Sequence, residues 1–463
     1  MNGARWGLSS AAQRAVLVVG IGIGVVYVLS PLTVWFTVAM AFVVSWARRG
    51  VSGDERRWLT TMLLVAIVAR AAAVAALFLA TNHASVPFGH FFGDEEYFIR
   101  RSIWLRNVAL GIPVHGADLI YAFDDYSQTI YLYVLALVQI LVGPAPYGVH
   151  LLGIGCYVTA CVLMYRLVRA SLGRMPAFIG LAVLLYLPSL FAWSISALKD
   201  PLFFLMTACT VALAVRLVRG PGWRTRLLAL TAIAVLAAVL GTVRTAGTVL
   251  TVASIACGLG VTALVLHPRW LLAFVVAAPI VVGAVLSRPD VQLKIYGGVQ
   301  AAARQHAGHI ATPGYVYKLL DARLYEERAT VLDMHFDEAA RFILRALEGY
   351  VTVPLPWQAR SASALAYLPE QMVWYVIVAL APIGLARSFR RDPLVAGLLF
   401  GYAVVAAVTV AVVSGNVGTL VRHRGLALPY VVWLSAVGAC ELVTWSIAAL
   451  PLRRPSLNPQ PFS

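Results

Sequence analysis

Three adjacent carboxylates, Asp94, Glu95 and Glu96, stand in the stretch FFGDEEYFIRRS, a few residues after a membrane-length apolar run. A fourth, Asp200, follows Lys199 in SALKDPLFF, between two further apolar runs. Carboxylates so placed could be a solvated loop surface, metal ligands, or the proton-accepting end of an enzyme. Arginines recur in comparable positions: Arg244 in GTVRTAGT, and Arg422 and Arg424 in SGNVGTLVRHRG. A planar guanidinium fork at headgroup depth suits a lipid phosphate, while the plain alternative is snorkelling to headgroups. Asp200 and Pro201 also have a plain reading, as the start of a helix. Arg100, Arg101 and Arg106 read as snorkelling or as local partners of Glu95 or Glu96. His83, His90, His115 and Asp94 share a loop but lack tight ligand spacing, so they read as loop surface rather than a metal site. Nothing resembles a phosphate-binding glycine loop, a dinucleotide fingerprint or a nucleophile elbow.

These groups sit in an apolar chain. Of its 463 residues 61% are hydrophobic and 12% charged, against about 25% charged in an ordinary soluble domain. The fold class is therefore all-α: a polytopic transmembrane helix bundle. The net charge of +16 is nearly all arginine, since the lysines are Lys199, Lys294 and Lys318 alone. The arginines lie in short turns between apolar runs, which fits anchoring to membrane lipids and argues against nucleic-acid binding. Cys156, Cys161, Cys209, Cys257 and Cys440 all fall inside apolar runs, so neither a disulfide framework nor a thiolate metal site is expected.

A span needs roughly 20 apolar residues. About 12 runs qualify: 15–30, 32–47, 58–80, 147–168, 175–193, 201–218, 227–243, 246–266, 271–286, 371–386, 393–413 and 425–449. The first follows Arg5 and Arg14 as a signal peptide would. It lacks a clean cleavage site and a second run follows at once, so it reads as a retained helix. Placing Arg48, Arg49, Arg56, Arg57, Arg166, Arg169, Arg174, Arg216, Arg219, Arg224, Arg226, Arg387, Arg390, Arg391, Arg453 and Arg454 in the cytoplasm fixes the topology. The apolar run 128–143 then cannot cross. It is short, neighbours Tyr126 and contains Tyr131 and Tyr133, and so reads as an interfacial helix. The expected organisation is 1–57, two N-terminal helices; 58–286, a catalytic core with an outer loop at 81–145; 287–370, a second long outer loop, with a further interfacial helix near Phe336–Leu347; 371–449, the C-terminal helices; and 450–463, a disordered cytoplasmic tail. Arg70 and Glu441 fall within the bilayer, where a structural ion pair between them is the expectation.

The pattern resembles the GT-C class of polytopic glycosyltransferases, nearest to bacterial relatives of the protein O-mannosyltransferases and the lipid A aminoarabinose transferases. GDEEYFIRRS matches that class's acidic pair with a nearby Tyr, here Asp94, Glu95 and Tyr97. LPSLFAWSISALKDPLFF matches its second acidic loop, here with Asp200. The likeness covers roughly residues 58–220. Two spans precede the matched part, and FDDYSQTIYLYVLAL replaces the class's usual Lys-Pro-Pro-Leu-like stretch.

The resemblance implies inverting transfer of a sugar from a polyprenyl-phosphate donor to a glycan, lipid or protein acceptor. It places the multi-pass chain in the cytoplasmic membrane with the site facing the periplasm or outside, in cell-envelope glycan synthesis. Such chemistry needs a base for the acceptor hydroxyl and cations for the departing phosphate. Asp94 is the first choice of base, Glu95 the second, and Asp200 would hold the acceptor, a water or an ion. Tyr97, Lys199, Arg244, Arg422 and Arg424 are the substrate-binding candidates. Metal dependence stays open, Mg or Mn being the divalent cations such carboxylates would take. Two rivals remain: a polysaccharide polymerase or ligase using lipid-diphosphate glycans through Arg304, His306 and His309, and a transporter or lipid flippase with Arg70 and Glu441 along its path.

Overall fold

The computed structural model describes residues 10–449 except 83, 84, 86–90, 125–127, 145, 146, 313, 314, 327–329 and 359–361. Arg5, His83, His90, Tyr126, Arg453, Arg454 and the tail 450–463 lie outside these residues. Helices make up the described chain, with one isolated bridge between Val316 and Asn416. They are α1 Ser10–Leu29, α2 Pro31–Ala47, α3 Gly53–Ala80, α4 Gly93–Ala109, α5 Gly116–Ala122, α6 Ile130–Val142, α7 Gly148–Leu172, α8 Arg174–Tyr186, α9 Pro188–Ser194 and α10 Asp200–Arg219. There follow α11 Gly222–Val243, α12 Gly247–Leu266, α13 Pro268–Leu286, α14 Pro289–Ile310, α15 Arg323–Glu326, α16 Phe336–Thr352, α17 Ala362–Arg391, α18 Pro393–Val413, α19 Val417–Arg424 and α20 Leu428–Ala449.

Among the described residues eight helices are long and apolar enough to cross a membrane: α3, α7, α10, α11, α12, α17, α18 and α20. Three bent pairs raise the number to eleven if each is one span: α1–α2 at 118°, α8–α9 at 64° and α13–α14 at 90°. Sequence analysis counts about twelve because it takes 15–30 and 32–47 separately. Each break falls at a proline, Pro31, Pro188 or Pro289, opening the second helix. Proline lacks the N–H that would continue the ladder, and it favours the first helical turn. The α6 helix has 13 residues, which is about 20 Å of helix against the roughly 30 Å hydrocarbon core.

The α8–α9 break explains Arg70. Pro188 interrupts what reads in sequence as one span, 175–193. Arg70, buried in α3, donates to the Leu185 carbonyl at 2.8 Å and to Ser194 Oγ at 2.7 Å, one contact on each side of the break. Tyr157 adds a hydrogen bond to the Leu184 carbonyl at 2.6 Å. The expected Arg70–Glu441 pair does not form. Glu441 instead meets Arg387 at 3.1 Å, and Arg70 is engaged at the break by the Leu185 carbonyl and the Ser194 hydroxyl.

Interhelical contacts sort the bundle into two ends. At one, Arg169 pairs with Glu55 at 2.6 Å, Arg219 with Asp392 at 2.5 Å, and Arg391 donates to the Leu172 carbonyl at 2.8 Å. Arg169, Arg219 and Arg391 belong to the set that the charge pattern assigns to one side. Asp94, Lys199, Asp200, Arg244 and Arg422 gather at the other end.

Glycines set the closest helix approaches. A Cβ on Gly384 of α17 would lie 1.7 Å from the Leu434 carbonyl oxygen of α20, and one on Gly438 would lie 2.2 Å from that of Leu380. Such small-residue crossings are the membrane substitute for a hydrophobic driving force. The segment after α14 folds back onto the end of α18: Tyr317 N donates to the Gly415 carbonyl at 3.2 Å and Val417 N to that of Tyr315 at 2.9 Å. The α16 helix packs on α14 and α18.

Candidate functional site

Three separate segments deliver the charged groups. The first is the start of α4. Glu95 makes it, accepting from Phe91 N at 2.9 Å and Phe92 N at 3.2 Å, which closes the first turn. The same carboxylate accepts from Ala197 N at 2.7 Å and lies 3.2 Å from His150 Nε2. Phe91 stacks on the His150 ring at 4.2 Å. Glu95 therefore ties the start of α4 to α7 and to the second segment, residues 195–199 between α9 and α10. Gly153 on α7 permits this closeness, since a Cβ there would lie 2.8 Å from the Ser196 carbonyl oxygen. The third segment is α19, whose N-cap Asn416 accepts from Gly418 N at 2.8 Å.

The result is a chain of alternating charges. Asp94 accepts from Arg422 Nη1 at 2.5 Å, Arg422 Nη2 donates to Asp200 at 3.1 Å, and Asp200 also pairs with Arg244. Asp94 is 71% exposed, while the Arg422, Asp200 and Arg244 side chains are 15–17% exposed. Burial alone weakens the Arg422 cation, but Asp200 and Asp94 outweigh it and raise the pKa above its ordinary value. Burial, with Arg244 and Arg422 beside it, pulls His423 down to about 3, so its imidazole is neutral. Lys199 lies 6.0 Å from the Phe98 ring centre, and burial followed by Arg244 draws it down to about 8.

Arg422 and Asp200 head a narrow cleft of about 30 Å³ between α7, α9, α10 and the α19–α20 junction. Tyr157, Trp193, Phe203 and Phe204 line much of the rest. The Arg422 guanidinium sits 5.4 Å from the Trp193 ring centre and that of Arg244 5.4 Å from Phe203. The Nε atoms of both arginines are buried, with no hydrogen-bond partner among the described residues. The paired charges at the mouth of this aromatic cleft can meet an anionic head, while the space beneath them is about the size of one water.

Of the candidate residues, Asp94, Asp200, Arg244 and Arg422 come together, with Lys199 next to Asp200 in sequence. Three others serve the fold. Glu95 is fully buried with both oxygens engaged, so it is not placed to meet an acceptor. Tyr97 takes a hydrogen bond from Arg101, within a cluster that includes Tyr121. Arg424 is buried and donates to the carbonyls of Tyr350 at 2.6 Å and Val353 at 2.5 Å and to Gln371 at 2.8 Å, fastening α19 to α16 and α17. Arg100 reaches Glu96 at 3.4 Å, whereas Arg101 and Arg106 bond main-chain carbonyls. His306, named for the polymerase reading, is buried with Nδ1 3.0 Å from the Ser414 carbonyl oxygen. Among the described residues no three His, Cys, Asp or Glu side chains converge as a metal site. Trp193 and His150 carry no polar motif in the sequence, and only the packing shows their part.

No family model matches the chain, and no curated protein or solved structure matches it either.

Proposed function

We propose that the chain is a membrane glycosyltransferase that moves a sugar from a polyprenyl-phosphate donor to an acceptor hydroxyl at the outer face of the cytoplasmic membrane, with inversion. The observation that carries this reading is the Asp94–Arg422–Asp200–Arg244 chain at the head of an aromatic cavity among the spans. A polyprenyl tail belongs in the bilayer and brings its phosphate to such a place. Asp94, the exposed member, takes the proton of the acceptor hydroxyl. The acceptor oxygen attacks the anomeric carbon, and the carbon–oxygen bond to phosphate breaks with its electrons passing to the phosphate. Arg422 and Arg244 stabilise the charge that develops there. Phosphate leaves readily, so the site needs no dedicated acid. Asp200 holds the two arginines at a fixed separation, which removes reorganisation from the step. The acceptor class stays a glycan, lipid or protein hydroxyl.

The test is transfer by the purified, reconstituted protein from a mixture of polyprenyl-phosphate sugars, with products read by mass spectrometry, for wild type, Asp94→Asn and Arg422→Gln. Wild type transfers and both variants lose at least about a hundredfold, the usual scale of a general base or a charge-stabilising group. Transfer by wild type from lipid-diphosphate oligosaccharides alone would give the reaction to the polymerase class instead.

A further inference from the structure

Arg422 has two carboxylate partners of different kinds. Asp200 is mostly buried and is shared with Arg244, so removing it would strand buried cations. Asp94 is 71% exposed, and its carboxylate returns to water if the contact opens. The exchangeable ligand on Arg422 is therefore Asp94.

We infer that the Arg422 guanidinium is the phosphate subsite of the donor, that Asp94 occupies it in the ligand-free chain, and that an arriving phosphodiester displaces Asp94 and so frees the base. The inference rests on the glycosyl-transfer reading. The exchange balances: one carboxylate anion leaves the guanidinium, one phosphodiester anion replaces it, and no proton moves until the acceptor hydroxyl arrives. Asp94 meets Arg422 through Nη1 alone while Nη2 stays on Asp200, so the Nη1 position is the one the phosphodiester takes over. Binding order follows. The donor enters first, and the base is available only once the donor is seated. Water and stray hydroxyls then meet no free base beside an empty site.

A base that is also a competitor makes an unusual prediction: removing its charge tightens donor binding while it slows turnover. The experiment is calorimetric titration of the full chain in detergent with geranyl phosphate, and with geraniol as the uncharged control. Asp94→Asn binds geranyl phosphate about tenfold tighter than wild type, equivalent to about 1.4 kcal/mol, with geraniol unchanged. Arg422→Gln binds geranyl phosphate at least about tenfold more weakly, the scale of a lost charge-assisted contact. Equal or weaker binding by Asp94→Asn, where wild type binds, overturns the displacement and leaves the phosphate site standing. The same tightening with geraniol also overturns it, because the gain would then not be electrostatic. Absence of geranyl phosphate binding in every form removes the phosphate reading itself. Asp94 is exposed, so its variant keeps the test decisive even if Arg422→Gln fails to fold.

Discussion

Asp94 and Glu95 are adjacent carboxylates, and replacing them should have very unequal consequences for stability. Glu95→Ala deletes a buried acceptor that serves Phe91 N, Phe92 N, Ala197 N and His150. Phe91 and Phe92 are half-buried at a helix start and regain water. Ala197 and His150 are fully buried and do not. Two buried orphans at about 1–3 kcal/mol each put the cost near 2–6 kcal/mol. Asp94→Asn loses one exposed contact, worth at most about 1 kcal/mol. Equilibrium unfolding in mixed detergent–SDS micelles, followed by circular dichroism, reads both. Turnover per folded molecule is then measured for each. Glu95→Ala should be clearly destabilised yet keep measurable transfer, and Asp94→Asn should be nearly as stable as wild type yet inactive. An unchanged unfolding midpoint for Glu95→Ala would refute the account of Glu95 as the tie between segments. Full activity in Asp94→Asn would refute its role as base.

Two other predictions follow from packing and charge. Gly384→Leu should separate α17 from α20, since even a Cβ would lie 1.7 Å from the Leu434 oxygen; a loss of about 3 kcal/mol or more is expected from forced backbone displacement, read by the same unfolding assay, whereas Gly283→Leu on α13, with nothing within 4 Å of its Cβ position, should be tolerated. Lys199 is pulled below its ordinary value, to about 8, so its charged form penalises the fold below about pH 8. The unfolded chain holds the proton more tightly, and stability should therefore rise between about pH 8 and 10; unfolding midpoints across that range test this, and Lys199→Met should remove the rise.

The sequence by itself determines that this is a bundle of membrane-length helices. Apolar run length does so, and the prolines at 31, 188 and 289 mark where helices break. Arg169, Arg219 and Arg391, which the charge pattern assigns to one side, do meet partners at one end of the bundle. The four residues of the charged chain are legible too, as polar groups that have no cheap place in such a chain.

What the sequence cannot decide is which polar neighbour faces the cavity. Successive helical residues point about 100° apart, so Asp94 and Glu95, or Arg422 and Arg424, are equivalent in composition and opposite in placement. Glu95 turns inward because Ala197 and His150, 102 and 55 residues away, supply its donors. Arg424 turns away from Asp200 because Tyr350, Val353 and Gln371 present acceptors on the other side of α19. Arg70 forgoes Glu441 for the Leu185 carbonyl and Ser194 hydroxyl on either side of the Pro188 break. In each case the partner is remote in sequence, and burial makes an unsatisfied polar group costly, so tertiary packing alone fixes which charge is left to act.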